Sequence, residues 1–452
     1  MPDFSFSFLI LAPFLDETDK PVAPASVRNL EGAFEKLQPT LYLPLPEDLA
    51  LERGINLRFQ SLKDFRPREI RARIPWLKEE TTQKEGSSPQ GGLEALLSKV
   101  ELPGEEKKTE APNLVRAIYE NENFRRLEAT WRGLQLFLSG GLPEGIAALL
   151  VPISTKNFQE TLEDLRSRLA SQPPSIILID FEFHATPYHF EILKKVARLA
   201  EDLLCPAVVW VGPGFLHLKD WKDIEGLPYL PHHLEDPSWA PWQALKGQEA
   251  GNWMVMILNR VVLRHPYGRK CSSSTPFEER EPLWGAPIWP LALILKESLV
   301  RSGWPFQLTA QEGVRLKGLE LEIEFPEKRF SQFLKAGLYP LAASPYTGEV
   351  FFPELKTLQG TSLAFQLLLS RLSHFLIFLY SKKGTTWPAE EIASRLHREL
   401  ERLWEEHGGY QPEVLHVKTQ ESTEGLLVTL EVKPPKALFP LREPVSFRFV
   451  WS

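Results

Sequence analysis

Three side chains with metal-binding chemistry alternate along one predicted strand: Asp180, Glu182 and His184. Residues at i, i+2 and i+4 of a strand project from one face, and carboxylate and imidazole groups are ligands for divalent metal ions. The sequence marks out no second group of histidines or carboxylates, and polar residues at a strand end are usually hydrogen-bonded within the fold. The sequence therefore predicts no metal site, and an enzyme using these residues stays a minor alternative.

The sequence does not contain a complete nucleotide-binding loop. Gly212-Pro-Gly214 follows a predicted strand, but the third glycine of the dinucleotide motif and the Gly-Lys-Ser/Thr of a P-loop are missing. The sequence also has no G-x-S-x-G or H-E-x-x-H motif, and neither Cys205 nor Cys271 lies in a catalytic pattern. We therefore predict a protein that is not an enzyme and uses no cofactor.

A second histidine pair stands further along the chain. His232 and His233 precede Glu235 and Asp236, and prolines border this segment on both sides. Such a segment is typical of a solvated surface loop. We predict no binding role for it.

Composition limits the class of protein. The chain has 452 residues, a net charge of −7, 43% hydrophobic residues and 39 prolines, which is typical of a folded protein with many short elements. The negative charge argues against nucleic acid as a ligand. The apolar start from Phe4 to Leu15 lacks the leading basic residues of a secretion signal, and Phe375 to Tyr380 is too short to span a membrane. We expect a cytoplasmic protein without membrane insertion.

Both ends of the chain show the alternation of a strand with one apolar face. The alternating residues are Phe4, Phe6, Phe8 and Ile10 at the start, and Val445, Phe447, Phe449 and Trp451 at the end. A terminal strand is restrained by only one peptide connection, so it can add to the sheet of a neighbouring subunit. The alternative, that both strands pair within their own chain, stays open on the pattern alone.

Shifts in composition divide the chain into three parts. Residues 1–78 are predicted to form a small α/β module, and residues 113–452 alternate helical and strand-like segments, which indicates βαβ units with a partly parallel sheet. The fold class is therefore mixed α/β. Residues 79–112 form a polar linker around one amphipathic helix with Leu93, Leu96, Leu97 and Val100 on one face. This helix either docks on a neighbouring domain or serves as a handle for another protein.

Five motifs in residues 113–452 resemble, in order and spacing, the large sheath subunit of the bacterial type VI secretion system, the VipB or TssC class. They are Phe124-Arg-Arg-Leu-Glu-Ala-Thr-Trp-Arg-Gly-Leu134, Ile179-Asp-Phe-Glu-Phe183 with Pro187, Leu263-Arg-His-Pro-Tyr-Gly268, Leu283-Trp-Gly-Ala286 and Ser302-Gly-Trp304. The first module is similar to the small subunit, VipA or TssB, at Val27 to Phe34 and Leu57 to Pro67. The resemblance implies a natural fusion of two subunits that are separate polypeptides elsewhere in the family. The chain also departs from the small subunit after Trp76, where the linker begins.

The resemblance implies a structural function without chemistry. Such subunits form a helical homopolymer around an inner tube of hexameric rings, assemble on a baseplate, and contract to propel the tube. It also implies that the two terminal strands pair between subunits, and that the helix with Leu93, Leu96, Leu97 and Val100 is the segment recognised by the AAA+ unfoldase ClpV. The alternative is an adaptor or baseplate-associated protein that has the same fold but does not polymerise.

Overall fold

A seven-stranded sheet organises most of the chain in the computed structural model, which describes residues 4–16, 18–44, 54–74, 110–268, 277–383, 387–423 and 425–451. The strand order is β11-β8-β7-β6-β1-β5-β2, and every neighbouring pair is parallel except β2 and β5. The predicted helix at Leu93 to Val100, most of the linker and Cys271 lie outside the described residues. Mixed α/β architecture with a parallel sheet is confirmed.

The strands and helices have the following bounds. The strands are β1 (Phe6–Ala12), β2 (Ala25–Val27), β3 (Thr40–Pro44), β4 (Gly54–Arg58), β5 (Ile146–Pro152), β6 (Ile176–Phe183), β7 (Ala207–Val211), β8 (Met254–Leu258), β9 (Val261–Arg264), β10 (Leu283–Gly285), β11 (Leu338–Pro340), β12 (Ala342–Ala343), β13 (Val350–Phe351), β14 (Val414–Ser422), β15 (Gly425–Lys433) and β16 (Val445–Trp451). The helices are α1 (Leu30–Leu37), α2 (Pro67–Arg73), α3 (Glu110–Glu120), α4 (Glu122–Leu138), α5 (Phe158–Leu169), α6 (Pro187–Asp202), α7 (Leu230–His233), α8 (Ala240–Gly247), α9 (Ile288–Ser302), α10 (Glu327–Ala336), α11 (Leu363–Lys383) and α12 (Ile392–Glu406).

The N-terminal strand β1 lies inside this sheet, between β5 and β6. Phe8 stands opposite Ala148 on one side and Ile176 on the other. Phe6, Phe8 and Ile10 pack into one hydrophobic cluster, whereas Leu9 and Leu11 pack into a second cluster on the opposite face. In this chain β1 therefore has no free edge, which corrects the expectation that it is available to a neighbouring subunit.

The first 78 residues do not form a separate structural unit, because β1 is part of the large sheet and aromatic contacts continue beyond it. The ring of Phe65 stacks on Phe59 at 4.0 Å between ring centres and lies 5.8 Å from the ring of Phe124 at the start of α4. Helix α4 begins where the Asn121 side chain accepts hydrogen bonds from the backbone N–H groups of Asn123 and Phe124. The described residues of the first module, up to residue 74, thus share one hydrophobic core with α4, and the predicted boundary near residue 78 stays a prediction.

The long apolar helix α11 contains the one described stretch with the length and composition of a membrane span, Leu363–Lys382. Of that stretch, 67% is buried inside the protein. Phe375 of this helix packs edge-on against Phe4 with 5.2 Å between ring centres. The helix is thus largely a core element, although Ile377 and Tyr380 near its end are exposed.

Candidate functional site

The C-terminal strands form a second, antiparallel sheet in the order β14-β15-β16. Strand β16 pairs with β15 over its whole length without a register shift, with Phe447 opposite Leu430. Among the described residues β16 is an edge strand of this sheet. The alternation predicted for this strand is confirmed, and the structure gives it one side on which a further strand can pair.

The two faces of β16 differ as the sequence alternation requires. Phe447 and Phe449 are half-buried, and Trp451 is only 4% exposed. The Trp451 ring stacks on Trp387 at 5.8 Å and meets Tyr380 edge-on at 5.2 Å, which anchors the end of the strand to the body of the protein. The anchored apolar face fixes the register, since a one-residue slip would turn these rings to solvent.

The outer edge of β16 lacks most of the features that prevent edge pairing, although Arg448 places one charged side chain on the strand. Proteins blunt exposed edges with prolines, bulges or very short strands. Strand β16 spans seven residues, contains no proline and pairs with β15 in continuous register. The edge strands of the large sheet, β2 and β11, have only three residues each. Of these three edges, that of β16 is best suited to accept a strand.

A buried ion network joins two of the sequence motifs. Arg264, in the Leu263–Gly268 motif, donates two hydrogen bonds to Glu128 of the first motif, from Nε at 2.9 Å and from Nη2 at 3.1 Å. It also donates to Glu279 from Nη1 at 2.6 Å and from Nη2 at 3.1 Å. Glu128 and Glu279 are 0% and 1% exposed. Although burial opposes the charge of Arg264, the two carboxylates raise its pKa above the ordinary value.

Further groups complete the network around these three residues. Arg125 donates to Glu279 at 2.6 Å, and Arg132 donates from Nε to Glu128 at 2.7 Å. The Arg264 guanidinium also lies over the ring of Tyr267, 4.1 Å from its centre. Buried charges are tolerated only when they are paired and hydrogen-bonded, and these contacts meet that condition. The network fixes α4 against β9 and the segment that carries Glu279.

The remaining residues of the first motif position the N-terminal segment and α9. The Trp131 indole donates to the Phe14 carbonyl at 3.1 Å, and its ring stacks on Phe34 at 3.9 Å. A Cβ atom at Gly133 would lie 2.3 Å from Nε1 of Trp289, so only glycine lets this ring approach α4. The motif residues are thus structural positions that hold the parts of the fold together.

Asp180, Glu182 and His184 do not form a metal site. The Asp180 carboxylate accepts a hydrogen bond from the Trp289 indole at 2.9 Å, while Glu182 lies 3.8 Å from Nε2 of His184. A Cβ at Gly212 would lie 1.8 Å from Oε1 of Glu182, so this glycine provides space for the carboxylate. In the described part of the chain no three His, Cys, Asp or Glu side chains are grouped to hold a metal ion.

The half-buried carboxyl of Asp180 predicts a specific pH dependence. Burial raises its pKa to about 6, although the hydrogen bond from Trp289 opposes that rise. Between the unfolded and folded pKa values the folded state binds more protons, so stability falls as pH increases from about 4 to about 6. Asp180→Asn should reduce the change of the free energy of unfolding with pH across that range, as measured by urea denaturation at each pH. An unchanged pH profile would show that this carboxyl titrates normally.

The histidine pair of the proline-bordered segment lies on the short helix α7 and not on the predicted surface loop, and His233 is half-buried. His232 is exposed and packs edge-on against the Tyr229 ring, and the His233 ring lies 5.7 Å from that of Trp239. Asp236 accepts from the Ser238 backbone N–H at 2.9 Å and from its hydroxyl, and these hydrogen bonds lower the pKa of the carboxyl. Asp236 therefore has a local capping role.

Comparison with known proteins defines the class. Residues 154–359 match the model of the VipB family, the tail sheath N-terminal domain. This part of the chain is thus similar to a VipB-type tail sheath domain, which confirms the predicted resemblance to the large sheath subunit over these residues. This chain is 20% identical over 290 residues to the type VI secretion system sheath protein TssC1 of Pseudomonas aeruginosa. The alignment covers 54% of this chain and 58% of that protein. The chain therefore spans less than two thirds of this curated relative.

Several solved structures of sheath proteins are also similar. The sheath tail protein of Listeria innocua matches with 11% identity and a TM-score of 0.42 over 68% of this chain and 61% of that protein. The contracted sheath of the extracellular contractile injection system PVC matches with 11% identity and a TM-score of 0.41, over 71% and 76%. The contracted helical sheath of the anti-feeding prophage gives 12% identity and a TM-score of 0.42, over 70% and 77%.

Proposed function

We propose that this chain is a structural subunit of a type VI secretion contractile sheath, which polymerises helically around an inner tube and contracts to propel it. The observation that carries the proposal is the VipB-type tail sheath domain at residues 154–359. The sheath family is one of structural proteins, and the buried motif network of Glu128, Arg264 and Glu279 has a structural rather than a catalytic arrangement. The proposed location is the cytoplasm.

Strand β16 is the proposed link between subunits. Its outer edge can accept or supply main-chain hydrogen bonds, while Trp451 keeps the strand attached to its own subunit. Main-chain pairing survives a change in the angle between subunits when the connecting segment bends. The proposal gives this role to β16 and not to β1, because both edges of β1 pair within the chain.

We also propose that one polypeptide replaces the two sheath subunits. The supporting observation is that residues 1–78 supply β1 to the middle of the large sheet and Phe34 to the Trp131 stack. The family match begins at residue 154, so the similarity of the first module to the small subunit remains a prediction. Fusion would enforce equal numbers of the two parts and raise their effective concentration.

The remaining partners follow from the same proposal. They are an inner tube protein of hexameric rings, baseplate components, and the unfoldase ClpV at the helix with Leu93, Leu96, Leu97 and Val100. That helix lies outside the described residues. Its substitution by polar residues would test ClpV binding separately from polymerisation.

Electron microscopy tests the proposed function. The chain would be expressed alone and beside a candidate tube protein from the same genome, and each sample would be examined in negative stain. Hollow, ridged cylinders are expected. Dispersed particles beside well-formed tubes would overturn the sheath proposal and support a non-polymerising adaptor.

A further inference from the structure

Helix α11 carries a buried cation, Arg371, two of whose nitrogen atoms have no acceptor. Arg371 is 3% exposed, and its Nε and Nη1 atoms are buried with no hydrogen-bond partner among the described residues. Its guanidinium is surrounded by aromatic faces, 5.0 Å from the ring centre of Trp304, 5.5 Å from that of Phe4 and 5.9 Å from that of Phe6. Burial lowers the pKa of Arg371 to about 10, so the group remains charged at neutral pH.

Trp304, whose ring lies next to this guanidinium, and Trp404, which stacks on Trp304, carry two more unpaired donors. The Trp304 and Trp404 rings stack with 4.0 Å between their centres, and both are fully buried. Neither indole Nε1 has a hydrogen-bond partner in the described part of the protein. Guanidinium and indole N–H groups can only donate, so the missing partner must be an acceptor, and the charge of Arg371 favours a negative one.

We propose that Arg371, Trp304 and Trp404 form a buried binding site for a small anionic group. This group is either a free anion or a side-chain carboxylate of a neighbouring copy of the chain. It would neutralise the buried charge and accept the unpaired N–H groups, which are otherwise destabilising.

Phe4 provides the entry to this site. Its side chain is half-buried, and it precedes the first hydrogen bond of the large sheet, from the Phe6 N–H to the Gly145 carbonyl at 2.8 Å. The Phe4 ring lies 5.5 Å from the Arg371 guanidinium and precedes this hydrogen bond, so we assign the approach of the ligand to this side of the cluster.

The test uses acetate as a carboxylate probe for the whole chain. Thermal unfolding would be followed at increasing acetate concentration, with ionic strength held constant by a bulky sulfonate buffer salt. A ligand that binds only the folded state raises Tm with the logarithm of its concentration once that concentration exceeds Kd. We expect such a rise, of several degrees, in the wild type and its loss in Arg371→Met, whose Tm without acetate should be higher because the buried charge is gone.

Arg395→Met is the matched control. Arg395 also lies over a tryptophan ring, 5.7 Å from the centre of Trp387, but its side chain is 38% exposed and paired with Glu391. This variant should keep the wild-type acetate response. A response that survives in Arg371→Met would overturn the site.

Assembly distinguishes the two sources of the anionic group. A wild-type chain that ignores acetate but polymerises, and loses polymerisation in Arg371→Met but not in Arg395→Met, would identify a neighbouring carboxylate. The proposal would be overturned if acetate gave no response and assembly did not depend on Arg371, whether or not the wild type forms a sheath. The acetate measurement needs no polymer, so failure of the sheath function and failure of this site are separable.

Discussion

Deletion of residues 445–452 should abolish polymers and leave a folded monomer. The deletion removes β16, the strand whose outer edge is proposed to pair with another subunit. All seven strands of the large sheet remain in the shortened chain. Sedimentation should show at least a tenfold loss of pelleted protein, and negative-stain images should show no cylinders. Far-ultraviolet circular dichroism and thermal unfolding would establish that the rest of the chain is folded.

A matched control comes from the solvent face of the same strand. Arg448→Ala removes an exposed side chain from β16 and leaves its main-chain groups unchanged. This variant should polymerise like the wild type, since main-chain pairing is the proposed bond. Normal cylinders from the shortened chain would show that subunits are joined elsewhere.

Replacement of Arg264 by methionine should destabilise the protein by about 3–5 kcal/mol, because it leaves buried carboxylates without their main cation. Glu128 keeps Arg132 and Glu279 keeps Arg125, but each loses its hydrogen bonds from the central guanidinium. Urea denaturation of the soluble chain measures the loss directly. If soluble protein is not recovered, the conservative Arg264→Lys variant, which retains the charge but not the fork of donors, should show a smaller loss.

The same substitution at the surface provides the comparison. Arg402 donates to Glu406 at 2.7 Å, and its side chain is 53% exposed. Exposed ion pairs contribute about 0–1 kcal/mol, so Arg402→Met should change the free energy of unfolding very little. Equal losses for the two variants would mean that the buried network has no special role.

The sequence predicts both terminal strands, but their different positions depend on the residues between the aromatic ones. In β16, Ser446 and Arg448 separate the apolar side chains, which is typical of a strand with one wet face. In β1, Leu9 and Leu11 stand between Phe8, Ile10 and Ala12, so the second half of the strand is apolar on both faces. That continuous run indicates burial on both sides, and it is the signal that distinguishes an inner strand from an edge strand.

The buried ion network could be predicted from the sequence only in part. Glu128 and Arg264 stand in motifs that the sequence marks out, but their pairing joins residues far apart in the chain. Glu279 lies outside those motifs and follows Glu278 directly, with no pattern to show which of the two is buried. The unpaired N–H donors of Arg371, Trp304 and Trp404 could not be predicted either, because a missing hydrogen-bond partner depends on packing and has no sequence pattern.

The position of β1 in the middle of the sheet has a consequence for how the chain folds during synthesis. Strand β1 is synthesised before both strands that it pairs with, because Phe6 lies opposite Ile146 and Phe8 lies opposite Ile176. Such high contact order slows folding, and an apolar segment such as Phe-Ser-Phe-Leu-Ile-Leu-Ala is prone to aggregate while it waits. Because β1 and the strands that it pairs with, β5 and β6, belong to one polypeptide, β1 stays covalently tethered to its partners while the chain folds.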